Sequence, residues 1–317
     1  MITDYSAACG LLGGLRRNSF KEDDLSKLEG ESPDFIKNLL KSCLGDDYPP
    51  KDEIDFLERA LYVSCIKKTT KLLRFLAPGA REVLKALILE FDILNLKLLI
   101  RRIKLGTDSG AEMFYWGFPY LAFKDIDPSV FKDIDSLEQY LKKSPFIRGI
   151  FTKALGDLKF HKDIFYFDIR LDREYFSLLK NMSLGLDRDS SLLIQNFISV
   201  RSLIYALRLK FFQGKDSNEI RSVLNIASIS NNDILSHLLS ASSLEDALSV
   251  IEKGLPFLKF REKLSLDFEE DLTGVFYEQF LKRRGVNFFS MRPYLTFYLS
   301  QRYLIERIIF IMNNRLN

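Results

Sequence analysis

The sequence predicts an all-α protein made of three similar helical domains, arranged so as to leave a central depression. Three observations carry that expectation. Apolar residues recur at three- and four-residue spacing in almost every run instead of alternating. Capping residues stand where those runs begin and end. One constant offset relates two separate motifs.

From the N-terminus, the spacing predicts helices over 3–17, 21–30, 33–44, 52–76, 80–105, 135–142, 145–157, 163–181, 189–213, 217–226, 231–240, 243–252, 264–284 and 291–313. Ser32 and Pro33 read as N-cap and first helical residue, because proline lacks a donor that the first turn cannot use. Pro78-Gly79 separates two long helices. Ser136-Leu-Glu and Ser243-Leu-Glu place a capping serine ahead of an acidic first turn. Gly106 and Gly214 follow apolar helices that end in basic residues, where a left-handed glycine closes a helix. Gly117–Phe123 has room for a short extended piece.

The repeat shows itself through numbering. Asp135-Ser-Leu-Glu-Gln-Tyr-Leu resembles Ser242-Ser-Leu-Glu-Asp-Ala-Leu, so that Ser136 falls on Ser243, an offset of 107. The same offset lays Phe91–Arg101 over Ile198–Arg208, with Leu96 on Leu203 and Ile100 on Leu207. One extra residue near Gln213 then brings Gly106 onto Gly214. A weaker third copy, Arg302–Met312, keeps the apolar spacing without the Asp or Asn. Glu31-Ser-Pro-Asp-Phe-Ile also resembles Lys143-Ser-Pro-Phe-Ile. Three units fill the length as domains 1–107, 108–214 and 215–317, with helices free to be exchanged across these boundaries. Units of several helices are longer than ordinary solenoid repeats, so they read as domains.

Composition removes several function classes. With 46 Lys+Arg against 43 Asp+Glu, the net charge is +3, not the strongly basic balance of a nucleic-acid binder. Two histidines and three cysteines leave little material for metal sites or histidine chemistry. Cys9, Cys43 and Cys65 form no CxxC pair, which argues against a disulfide framework. The opening residues have no basic leader pattern. The apolar stretches 84–105 and 294–312 are broken by charges and do not read as membrane spans.

Catalytic candidates also fall away. Gly10, Gly13 and Gly14 lack the Gly-Lys-Ser/Thr ending of a phosphate loop; with Ala7, Gly10 and Gly14 read as a small-residue stripe that lets another helix approach. His161 and His237 have no spaced partner and read as surface or core residues. Asp168 and Asp172, and the run Glu269-Glu-Asp271, read as a solvated face or as salt-bridge partners. Trp116 sits in an aromatic loop, Met113–Pro119, that suits either core filling or a contact tip. No catalytic residue, cofactor site or metal site emerges.

Charge is partitioned unevenly. Residues 93–107 carry Lys97, Arg101, Arg102 and Lys104 without an acid, and residues 190–214 carry Arg201, Arg208 and Lys210 without one. Residues 291–317 carry Arg292, Arg302, Arg307 and Arg315 against Glu306 alone. Dipole complementarity near helix C-termini covers Arg101–Lys104 and Arg208–Lys210 but not Lys97, Arg201 or Arg302. The other reading is a set of positive walls that receive an acidic partner.

These residues resemble a known family. Glu90-Phe-Asp-Ile-Leu-Asn-Leu-Lys-Leu-Leu-Ile-Arg-Arg-Ile-Lys-Leu-Gly106 resembles the signature helix of the C-type stalk component of the V/A-type rotary ATPases (ATP synthases), homologous to the d-type component of the eukaryotic vacuolar enzyme. Tyr5-Ser-Ala-Ala-Cys-Gly-Leu-Leu-Gly-Gly-Leu-Arg-Arg17 is similar to the family's small-residue opening helix. Leu137–Phe146 and Asp168–Phe176 resemble its leucine–glutamate turn and its Leu-Asp-x-x-Tyr helix, with Arg170 where alanine is usual. Ser199 and Ser202 replace the usual Asp and Asn in the second copy.

The resemblance implies a non-catalytic, funnel-shaped central-stalk component without cofactors. It implies a place on the cytoplasmic face of the membrane, peripheral to it, with no insertion into the bilayer and no nucleic-acid partner. Its partners would be the proteolipid ring of the membrane sector and the D and F components of the central shaft, and it would couple ATP chemistry to proton or sodium transport. Lys97, Arg101, Arg102, Arg201, Arg208, Arg302 and Arg307 are the residues expected at the shaft socket. The alternative is a helical-repeat adaptor unrelated to rotary ATPases.

Overall fold

The computed structural model describes residues 2–28, 31–50, 53–106, 122–123, 126–224, 232–254, 268–281 and 290–316. Trp116 and most of the Gly117–Phe123 stretch lie outside these residues, while Ala122 and Phe123 form a turn. Among the described residues there is no strand, and the fold is all-α.

The helices run in the order α1 (Ile2–Arg17), α2 (Glu22–Leu28), α3 (Pro33–Leu44), α4 (Ile54–Leu73), α5 (Pro78–Ile88) and α6 (Glu90–Leu105). They continue with α7 (Ile134–Leu141), α8 (Pro145–His161), α9 (Ile164–Ser183), α10 (Arg188–Leu207) and α11 (Ser217–Leu224). The last four are α12 (Asn232–Ser240), α13 (Leu244–Gly254), α14 (Phe268–Phe276) and α15 (Arg292–Leu316).

The chain divides into two compact units, one of Met1–Asp168 with Pro293–Asn317 and one of Ile169–Arg292. In the first, α4 packs against α1, α3 and α5. Its core includes Leu40, Leu57, Ile66, Leu84, Leu96 and Leu99, which follow the helical apolar stripes. The C-terminal helix returns to this unit. Tyr294 and Tyr298 are fully buried, Tyr298 donates its hydroxyl proton to the Leu87 carbonyl at 3.2 Å, and Gln301 donates to the Phe20 carbonyl at 3.1 Å. In the second unit α10 is the central element, packed on α14 and α11, with Leu193, Ile194, Leu203 and Leu207 buried.

Local chemistry explains most helix ends. Ser32 caps α3 by accepting the Phe35 N–H at 3.3 Å, with Pro33 in the first turn, as the sequence predicts. Ser243 accepts the Asp246 N–H at 3.1 Å and caps α13. Ser136 does not cap α7. Asp133 takes that place, accepting the Ser136 N–H at 2.7 Å, because its carboxylate stands three residues earlier and Ser136 can answer only as the returning half of a capping box. Gly106 and Gly214 have φ of 62° and 63°, the left-handed conformation expected of them.

Three expectations are corrected. The helix predicted over 80–105 is two, meeting at Leu89, whose backbone stays right-handed (φ −55°, ψ −20°). Pro78 is not a spacer but opens α5, where its fixed φ suits the first turn. Among the described residues the glycines of α1 receive no helix: a Cβ at Gly10, Gly13 or Gly14 would meet nothing there within 4 Å.

The helix predicted over 189–213 is α10 followed by a wider π turn over Arg208–Phe212. A π turn holds one more residue than the α-helical turn it replaces. It falls between Arg208 and Gly214, where the repeat expected from the sequence needs one extra residue. One helix among the described residues, Arg188–Phe212, is long and apolar enough to cross a membrane by length and composition, and it is neither of the two stretches that the sequence singles out for their apolar character. That helix is a core element, with 72% of its apolar window buried within the protein.

Candidate functional site

The seven basic residues expected at a socket lie on α6, α10 and α15, with Arg208 at the junction of α10 and its π turn. Lys97, Arg101, Arg102, Arg302 and Arg307 belong to the first unit, Arg201 and Arg208 to the second. Taken one helix at a time, these segments are poor in acids. The fold supplies the acids from elsewhere in the chain.

Arg101, in the last turns of α6, donates through Nη2 to Asp168 on α9. Arg208, where α10 widens into its π turn, uses Nε and Nη2 to grip both carboxylate oxygens of Glu269 on α14. Planar two-point contact of this kind fixes the guanidinium's orientation as well as its charge. Arg101 and Arg208 remain about half exposed, at 52% and 51%, whereas Asp168 is only 14% exposed. Asp168 and Glu269 thus meet one of the two sequence readings for these carboxylates, that of salt-bridge partners.

Arg302 is different, because burial rather than exposure defines it. Its side chain is 12% exposed and pairs with Glu90 at the start of α6 and, one turn along α15, with Glu306 at 3.0 Å. Arg201 is half-buried and lies over the Phe197 ring, 5.8 Å from its centroid, a cation–π arrangement. Burial pushes the neighbouring Tyr175 phenol upward, and the charge of Arg201 pulls it partly back. Lys97, Arg102 and Arg307 are half-buried. Lys210 turns its ammonium onto the carbonyls of Leu238, Leu239 and Ala241, so the helix dipole it complements is that of α12 and not of the helix that carries it.

The signature helix α6 carries a second feature that charge counting missed. Asp92 and Asn95 are fully buried, and both oxygens of Asp92 accept the Ala122 N–H, at 3.0 and 2.9 Å. Tyr140 donates to the Ala122 carbonyl at 2.8 Å, and the rings of Phe123, Phe131 and Tyr140 form one cluster. The acid therefore pins a turn to α6. Burial drives its carboxyl up to about 7, against the two backbone N–H groups of Ala122 and Phe123 that favour the ionised form. At the matching positions of α10, Ser199 and Ser202 are also buried, and Ser199 returns its hydroxyl to its own helix at Gln195.

His161 and His237 are exposed, and His161 stacks on Tyr166 with ring centroids 3.8 Å apart. Among the described residues no group of His, Cys, Asp and Glu is arranged to hold a metal ion. The arrangement offers ion-paired arginines on three long helices and one buried carboxylate.

No curated protein matches the chain. The family described as ATP synthase (C/AC39) subunit matches residues 8–317 and takes in every helix assigned above, α1 from its second turn onward. Together with the signature segment Glu90–Gly106 on α6, that match means that the chain belongs to the C/AC39 family of V/A-type rotary ATPase subunits.

Proposed function

We propose that this rotary-ATPase component is the central-stalk coupling part, seating the foot of the D–F shaft and resting on the membrane proteolipid ring at the cytoplasmic face. It passes torque during proton or sodium transport and performs no nucleotide chemistry itself. The observation that carries the reading is the family match over residues 8–317, to a non-catalytic, peripheral part of the complex.

Support for the three-domain arrangement, 1–107, 108–214 and 215–317, comes from paired positions. Arg101 and Arg208 each meet an acid of a later helix, Gly106 and Gly214 share one backbone conformation, and polar residues are buried at Asp92 and Asn95 and again at Ser199 and Ser202. On this proposal Lys97, Arg101, Arg102, Arg201, Arg208, Arg302 and Arg307 surround the socket. The enclosed Arg302 serves the architecture, and the half-exposed Arg101 and Arg208 serve contact.

The test is direct binding of the full chain to the purified D–F subcomplex and to the isolated proteolipid ring. Binding to both, together with loss of shaft affinity on joint reversal of Arg101, Arg208 and Arg307 to Glu, supports the proposal. A chain that binds neither partner while retaining its helical circular dichroism overturns it.

A further inference from the structure

Arg101 and Arg208 hold corresponding places in the two copies of the repeat, and both arrive already bound to a carboxylate of another helix. In the Arg101 pair the acid lies inward and the arginine outward, with exposures of 14% and 52%. In the Arg208 pair the acid takes Nε and Nη2, and the side chain remains 51% exposed. A guanidinium has five N–H donors in a rigid fork, so a carboxylate bound to two of them leaves others able to meet a second acid. The pair as a whole is neutral, which removes the long-range pull that a bare arginine exerts on an acidic partner.

We propose that Asp168 and Glu269 are positioning residues that hold Arg101 and Arg208 aimed outward and discharged until a carboxylate of the docking shaft takes over the guanidinium by exchange. This rests on the socket reading of the proposed function. It adds that the partner's contacting face bears carboxylates, that these engage at hydrogen-bond range, and that the acids behind the arginines set how fast and how salt-sensitively docking occurs. The Arg208–Glu269 pair is partly exposed on both sides, at 51% and 36%, and such a pair contributes little to stability, so exchange there is energetically accessible.

The experiment measures association rate and affinity of the full chain for the D–F subcomplex at low and high salt. The variants are Glu269→Gln, Asp168→Asn, Arg101→Glu and Arg208→Glu, with thermal melting recorded for each. Removing the acid's charge frees the arginine, so Glu269→Gln should raise the association rate about three- to tenfold at low salt and steepen its salt dependence. Asp168→Asn should act in the same direction.

Unchanged rates in both amide variants, with Arg208→Glu still weakening binding, would leave the socket standing but make the acids mere interhelical braces, overturning the exchange. Slower association in Glu269→Gln would overturn it too. If Arg208→Glu and Arg101→Glu both bind as wild type, the socket reading itself fails. A Glu269→Gln protein with a lower melting point and unaltered docking counts against the exchange.

Discussion

Arg302 on α15 and Glu90 at the first residue of α6 form an ion pair in which both side chains are largely enclosed, at 12% and 17% exposure. Glu306 closes on the same guanidinium from one helical turn away. Two carboxylates therefore share one cation. A third, Glu58, is already held above its usual range by burial, with Asp55 and Glu306 adding to the effect.

Arg302→Ala leaves Glu90 enclosed without this guanidinium, a change that costs about 3–5 kcal/mol when a buried pair is broken. Urea unfolding at pH 8 should show this loss, and adding Glu90→Gln should recover part of it.

Asp92 predicts a pH dependence of opposite sign to the usual salt-bridged aspartate. Its folded pKa is raised from 3.8 to about 7, so the folded state holds a proton that the unfolded chain has released. The group's contribution is therefore most favourable below about pH 4, and stability falls as pH rises toward 7. Asp92→Asn keeps an acceptor for the Ala122 N–H but cannot ionise. It should gain on wild type as pH rises from 4 to 8, by on the order of 2–4 kcal/mol at the upper end, read from denaturant midpoints.

Lys210→Met keeps the apolar stem but strips the ammonium from the carbonyls of Leu238, Leu239 and Ala241. A charge-assisted cap of this exposure should contribute about 1–2 kcal/mol. Hydrogen exchange should show α12 opening more readily in the variant, while exchange of the first unit's amides should be unaffected.

Thiol chemistry should separate the cysteines. Cys65 is 4% exposed and burial pushes its thiol up to about 11, whereas Cys9 and Cys43 are half-buried. At pH 8 an aromatic disulfide reagent should leave Cys65 untouched in the folded protein and modify all three in urea. Rapid native labelling of a Cys65-only variant would contradict the packing of α4.

The helical class, the glycine stops and the Ser32 and Ser243 caps were legible because each depends on residues within a few positions of one another. The π turn at Arg208–Phe212 lies beside Gln213, where the sequence comparison needs one extra residue. Asp133 displaced Ser136 as a cap because the stronger acceptor lay three residues upstream, outside the repeated motif. The break at Leu89 was invisible, since leucine there continues the apolar pattern of both flanking helices. The pairing of Arg101 with Asp168, Arg208 with Glu269 and Arg302 with Glu90 could not be read at all. Each joins helices that only tertiary folding brings together, so counting charge along one helix does not reveal the acids that meet these arginines.

The first unit's discontinuity in the chain sets an order for its manufacture. Met1–Asp168 emerges first, then the whole of Ile169–Arg292, and only afterwards the helix that carries Tyr294, Tyr298 and Arg302. At synthesis rates of about 5–20 residues per second, that wait is on the order of 6–25 s. Throughout it the Leu87 carbonyl lacks its tyrosine, the Phe20 carbonyl its glutamine and Glu90 its arginine. The nascent first unit is thus an unfinished clasp, and a translation stall before α15 leaves it open.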